Sequence, residues 1–164
     1  MKILKKILFS IMFWVVSLTW GCIMTSVGLI ITLALNLAKL ICKIFKVDLP
    51  IKTHINGCSF ITEVGGNWGG LELGAFALCG NYSKTSPNWF MHTRYHEFGH
   101  AIQHLLLGPL FIFVVAIPSA SRYWYQRIMS KKGKKFPAGW YDSIWFEKTA
   151  NIWGTKWAEW LESK

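Results

Sequence analysis

Between Ile7 and Ala38 the chain carries no charged side chain, and its first acidic residue is Asp48. About 20 consecutive apolar residues cross a bilayer, so this run is long for one upright helix and short for two full crossings. It predicts one tilted helix with an interfacial extension, or a tight helical hairpin turning near Trp20-Gly21. Asp48-Leu49-Pro50 then punctuates the chain. Cys58–Val64 reads as a short strand and Gly65–Gly70 as a glycine-rich turn. Leu71–Cys79 reads as a second strand, with Leu71, Leu73, Ala75 and Ala77 on one face and Glu72 and Phe76 on the other. Together these segments predict a short β-hairpin.

Gly80–Thr85 is read as loop, and Ser86-Pro87 as an N-cap followed by proline at the first helical position. The helix so begun runs to Leu107, where Gly108 takes the position just past the end and Pro109 stops it. Leu110–Ile117 is a second apolar block, closed by Pro118-Ser119 and too short to span a bilayer alone. It is expected to pack against the N-terminal segment or dip into the membrane interface. A short helix over Ser121–Met129, a basic loop over Ser130–Gly139 and a last helix over Asp142–Glu162 complete the chain. The fold expected is α+β: a membrane anchor over residues 1–47, then a small domain over residues 48–164 built from a β-hairpin, a long helix and a C-terminal helix.

Composition supports the anchor. Hydrophobic residues make up 52% of the 164, with 10 Trp and 11 Phe, more apolar surface than a small soluble domain hides easily. Both flanks of the apolar run are basic, with Lys2, Lys5 and Lys6 before it and Lys39, Lys43, Lys46 and Lys52 after it. That symmetry suits a hairpin with both ends cytoplasmic; a single span leaves orientation open. The competing reading is a cleaved signal peptide with Ile7–Trp20 as its apolar region. Thr19-Trp20-Gly21-Cys22 hints at a lipoprotein cleavage site, but Trp20 is bulky where small residues are wanted, and apolar residues continue beyond it.

The net charge of +10 includes Arg122, Arg127, Lys131, Lys132, Lys134 and Lys135, a stretch without acids between Glu97 and Asp142. Beside a membrane segment, anionic headgroups explain such a patch more economically than nucleic acid, which is not expected as a partner; a solvated loop is the plain alternative. Of the four cysteines, Cys58 and Cys79 flank the expected hairpin and are close enough in sequence to be bridged, and the absence of CxxC argues against a thiolate metal site.

The chemistry lies in His96-Glu97-Phe98-Gly99-His100. Four residues make about one helical turn, so both imidazoles project from one face and can grip a single metal ion. Glu97 stands beside that ion, where a carboxylate can take a proton from water the metal activates. Histidines recur at 92, 96, 100 and 104, but only the 96/100 pair encloses an acid. His92 and His104 are therefore read as polar-face or supporting residues, and His54 as a loop residue. A catalytic zinc needs a third protein ligand and an open position. Glu147 is the leading candidate, Asp142 the reserve, and Asn151, one turn past Glu147, a hydrogen-bond partner for a ligating imidazole. An exposed neighbour of Lys148 is the bland reading of Glu147. His92, Tyr123, Tyr125 and Tyr141 are the candidate donors to a developing oxyanion.

This arrangement resembles the gluzincin branch of the zincin metallopeptidases, in which HExxH is followed on a later helix by Glu with an acidic residue one turn on. More specifically, His96–Gln103, Leu107-Gly108-Pro109-Leu110, Ile117-Pro118-Ser119 and Glu147-Lys148-Thr149-Ala150-Asn151 are similar to a group of small bacterial membrane proteins. That group carries HEYGHxxQ, LGPLY, a GIPS-like turn and E-K-x-A-D, and the likeness covers roughly residues 67–154. It implies zinc held by His96, His100 and Glu147, Glu97 as general base, and residence in a bacterial cytoplasmic membrane. Asn151 departs from it, standing where Asp is usual. The expectation is a membrane-associated zinc metallopeptidase hydrolysing a peptide or protein substrate. The alternative is a small integral membrane protein with a structural or degenerate zinc site.

Overall fold

The structure is a computed structural model in which residues 2–66, 68–81, 83 and 86–163 are described. Residue 67 of the expected turn and residues 82, 84 and 85 of the expected loop lie outside the described residues. Two helices occupy the N-terminal run, α1 (Lys2–Leu18) and α2 (Cys22–Ile44), separated at residues 19–21. The chain therefore breaks at Trp20-Gly21, as the two-helix reading requires.

The helices play different parts. In α1, Phe13 is fully buried and packs with Phe98, Ala101, Ile102 and Ala158 in the main core. Phe9 stacks on Trp157 with ring centroids 4.6 Å apart, and Lys6 Nζ donates to the Leu161 and Ser163 carbonyls. Residues 1–47, read as an anchor, thus lend α1 to the folded core.

α2 is built the other way round. The residues it turns inward are small or polar: Thr25, Gly28 and Thr32 are buried. Asn36 Nδ2 donates to Thr53 Oγ1 at 3.0 Å, and Lys39 Nζ to the Ile51 carbonyl at 2.6 Å. Ile23, Ile30, Leu33, Leu37, Leu40 and Ile44 are exposed. A helix on the surface of a soluble domain buries its apolar stripe; this one presents it outward. Among the described residues, α2 is the one helix long and apolar enough by itself to cross a bilayer.

The sheet differs from the expected hairpin. Four strands, β1 (Lys52–Asn56), β2 (Ser59–Val64), β3 (Gly70–Leu73) and β4 (Phe76–Gly80), lie in the order β1-β2-β4-β3. β1 and β2 form one antiparallel hairpin, β3 and β4 another, and β2 runs parallel to β4. The segment read as one strand, Leu71–Cys79, is folded in two at Gly74, which has φ +74° and a neighbouring Thr25 that leaves no room for a Cβ. Glu72, expected on a face opposite Leu71 and Leu73, is buried. β1 was not expected because its sequence is polar; pairing holds it, reinforced by His54 Nε2 at 2.5 Å from Glu63 Oε1. His54 is therefore a strand residue with a fixed partner. All four cysteines are free, so Cys58 and Cys79 are not bridged; Cys58 Sγ instead lies 3.2 Å from Ser10 Oγ.

α3 (Pro87–Leu107) has the expected bounds, with Gly108 at its end, although the Ser86 side chain makes no capping bond. A 3₁₀ turn (Gly108–Leu110) and a single π turn (Ile112–Ala116) lead into α4 (Ile117–Lys131), and the chain bends by 116° between α3 and α4. Pro118-Ser119 starts α4 rather than closing the apolar block, because proline without its N–H is accommodated in a first turn. Arg122, counted in the basic patch, clasps the carbonyl of Tyr141 at 3.1 Å and lies over the Trp140 ring. After a 3₁₀ turn (Tyr141–Ser143), α5 (Trp145–Glu162) packs tightly on α3. At that crossing a Cβ on Gly99 would overlap the Ala150 carbonyl, and one on Gly154 the Tyr95 carbonyl. The two helices meet backbone to backbone, which is what brings Glu147 onto the HExxH face.

Candidate metal centre

α3 presents His96 and His100 one turn apart, and α5 brings Glu147 across from them. His96 Nε2 lies 3.1 Å from His100 Nε2. Glu147 Oε2 lies 3.1 Å from His96 Nε2 and 3.4 Å from His100 Nε2. These three side chains form the group of potential metal ligands found among the described residues. Glu147 is fully buried, and neither of its carboxylate oxygens accepts a well-formed hydrogen bond. A carboxylate removed from water must be matched by positive charge, and the two imidazoles are what face this one. A divalent cation seated between the three atoms would satisfy it, so the residues fit a metal.

Both imidazoles are held by their other nitrogen. His96 Nδ1 lies 2.9 Å from Asn151 Oδ1, and His100 Nδ1 lies 2.9 Å from Gln103 Oε1. With Nδ1–H donating to an amide oxygen, each Nε2 faces the centre and is the nitrogen available to a metal. Gln103 is itself fixed, its Nε2 donating to the Phe146 carbonyl and to Thr149 Oγ1 at 2.7 Å each. The reading of the sequence missed this role for Gln103; the signal was its position three residues after His100 on the same helical face. Asp142 does not join the centre. Its Oδ1 is 3.4 Å from Asn151 Nδ2, where it braces the amide that braces His96.

Glu97 is buried one step from the two imidazoles, against Gly70 of β3, where a Cβ would collide with its carboxylate. Burial raises its pKa, His96 and His100 oppose that, and Glu147 and Glu72 push it up further. For His96, burial pulls the pKa down, but the Glu147 carboxylate and the Glu97 charge outweigh this and raise it to about 9. Glu147 goes the other way. Burial alone would raise it, yet the two imidazoles hold it well below the usual carboxylate range.

A cavity of about 690 Å³ opens in front of these groups, walled by β3 on one side and by the π turn and α4 on the other. His92, Tyr123 and Tyr141 line it. His92 stacks on His96 with centroids 6.4 Å apart, and Tyr141 OH meets Ser119 Oγ at 2.7 Å. Tyr125 does not reach the cavity, contrary to the expectation for it. Two residues beyond Tyr123 is about 200° around the helix, and its hydroxyl instead accepts from Lys134 Nζ at 2.9 Å. His104 also stays away, with Nδ1 3.4 Å from Glu72 Oε1. No family model, curated protein or solved structure matches this chain.

Asn151 gives a direct test of outer support. Asn151→Ala should weaken metal binding by about 10–100-fold, the usual cost of losing such a partner. Asn151→Asp, which restores a charged acceptor for Nδ1–H, should tighten it. Competition against a chelator of known affinity measures both.

Proposed function

We propose that the protein is a membrane-associated zinc metallopeptidase of gluzincin type, seated in a bacterial cytoplasmic membrane. The observation that carries this is the fully buried Glu147 carboxylate facing two Nε2 atoms at 3.1 and 3.4 Å, with Glu97 alongside. Zinc takes nitrogen and oxygen ligands at about 2.0–2.1 Å, which places neighbouring ligands of one tetrahedron about 3.3 Å apart; the three separations of 3.1, 3.1 and 3.4 Å match. Three protein ligands leave one position open, which is the mark of a catalytic rather than a closed site.

When bound, zinc would supply a Lewis acid and make water acidic enough to ionise near neutrality. The side chains do the rest. Glu97, its pKa raised by burial, would accept a proton from water as the water oxygen bonds to the substrate carbonyl carbon, and would return that proton to the amine as the C–N bond breaks. Asn151 and Gln103 hold the imidazoles in the tautomer that binds. β3 lies at the edge of the sheet, the position at which an extended peptide adds a strand. His92, Tyr123 and Tyr141, which line the cavity, are the candidate donors to the oxyanion. Support for the membrane comes from the outward apolar face of α2, with its small and polar residues turned inward.

Purified protein should hold about one zinc per chain and cleave members of a broad peptide library, with cleavage lost on chelation and restored by zinc. The neutral Asn151 favours the second reading, a zinc site without catalysis, which predicts the same metal content and no cleavage. Binding should also depend on pH in a definite direction. His96 keeps its proton up to about pH 9 in the metal-free protein, and a metal must displace it. Apparent affinity should therefore rise with pH to about 9, by about tenfold per unit for one proton released, and level off above. Chelator competition between pH 6 and 10 reads this slope; a flat profile contradicts it.

A further inference from the structure

From Leu105 to Ser121 there is again no charged residue, and this segment is the elbow between α3 and α4. Phe111 and Val115 are buried against Phe146. Four other apolar side chains point outward: Leu106 is 66% exposed and Phe113 69%, with Leu110 and Ile117 also more than half exposed. An unsupported apolar patch of this kind on a domain surface marks contact with something other than water.

Two features say what covers it. The elbow adjoins the break between α1 and α2: Trp20 packs against Gly108, and Gly21 sits under His104. The patch thus adjoins the break at which α2, with its outward apolar face, begins. Past the elbow, Arg127, Lys131, Lys132, Lys134 and Lys135 are exposed, as are Trp124 and Tyr125. Basic and aromatic residues bordering an apolar segment are the pattern of a membrane interface with anionic headgroups. α3 and α4 taken together pass as one span broken by the 116° bend, and irregular backbone at that depth is tolerated where protein packs behind it, as Phe146 does here.

The inner side of the same elbow, Phe111, Val115 and Ala116, forms a wall of the cavity in front of His96, Glu97 and His100. We infer that the α3–α4 elbow is a re-entrant loop in the bilayer, and that the site takes an apolar peptide segment from the membrane rather than a soluble peptide from water. The substrate half rests on the peptidase reading above; the insertion of the elbow does not.

The test uses the full chain, loaded with zinc, in vesicles of neutral and anionic phospholipid. A diazirine probe confined to the hydrocarbon, mapped by peptide mass spectrometry, should label residues 105–121 together with α2 and spare Lys132–Lys135. Labelling of α2 alone overturns the insertion, as does protection of the elbow that disappears on dilution, which would mean a second copy of the chain covers it. In parallel, one apolar target sequence is supplied as a bilayer-embedded peptide and as a short soluble one. The embedded form should be cleaved at least tenfold faster, and Leu110→Glu with Phe113→Glu should remove that advantage while zinc content and the slow soluble cleavage persist. Equal rates on both forms overturn the substrate assignment and leave the peptidase reading standing. A labelled elbow with no zinc-dependent cleavage of either peptide rejects the peptidase reading and retains the re-entrant loop.

Discussion

Glu97→Gln should abolish peptide cleavage, lowering kcat by about 10²–10⁴-fold, the range that a positioned general base contributes, while zinc content stays near one per chain. The amide has the size and shape of the carboxylate, so it fits against Gly70, where nothing larger can. It removes no ligand, because the atoms that converge belong to His96, His100 and Glu147. What it removes is the ability to accept a proton. Glu97 is also a buried carboxyl whose charge is opposed by Glu147 and Glu72, so losing the charge should leave the fold as stable or slightly more so. Zinc analysis, a thermal melt and a peptide assay on the same preparation check all three points. A variant that keeps cleaving at the parent rate would remove Glu97 from the chemistry and leave the centre as a binding site alone.

Glu147→Ala should empty the centre. Two imidazoles on adjacent turns remain, but the third ligand comes from α5, and among the described residues Glu147 is the acid grouped with them. Asp142 is committed to Asn151, and Glu162 pairs with Arg94 at 2.8 Å on the far side of the crossing. Affinity should fall by more than the roughly 100-fold that losing an outer partner can cost, so dialysed protein should carry almost no zinc. Stability gives a second readout. A metal present at about 100 times its dissociation constant stabilises the folded state by about 2.7 kcal/mol. The parent should therefore melt lower when a chelator is added, and Glu147→Ala should not respond. Should the variant retain zinc through dialysis, the ligand set is misassigned.

The sequence made the α3 helix and its two histidines legible because every signal for them is local. Pro87 starts the helix, Gly108 ends it, and one turn separates the imidazoles. Glu147 and Asn151 were reachable because they too stand one turn apart, on a helix that begins close by. The sheet was much less legible. A polar strand such as β1 announces nothing until Glu63 faces His54 across the ladder, and the parallel pairing of β2 with β4 joins segments that look like two arms of one hairpin. The fold at Gly74 depends on Thr25 of α2 pressing against it, a contact with no trace in the local pattern. Tyr125 illustrates the same limit from the other side. Once α4 begins at Ile117 and runs without interruption, helical phase alone sends Tyr123 to the cavity and Tyr125 away from it. The role of Gln103 was open to inference, since it sits on the face of α3 that carries both ligands.

The grip of Lys6 on the last turn of α5 ties the two ends of the chain together. On the membrane reading proposed above, the start of α1 and the end of α5 then face one compartment. A reporter enzyme fused ahead of α1 and another fused behind α5 must then give the same answer about which compartment that is.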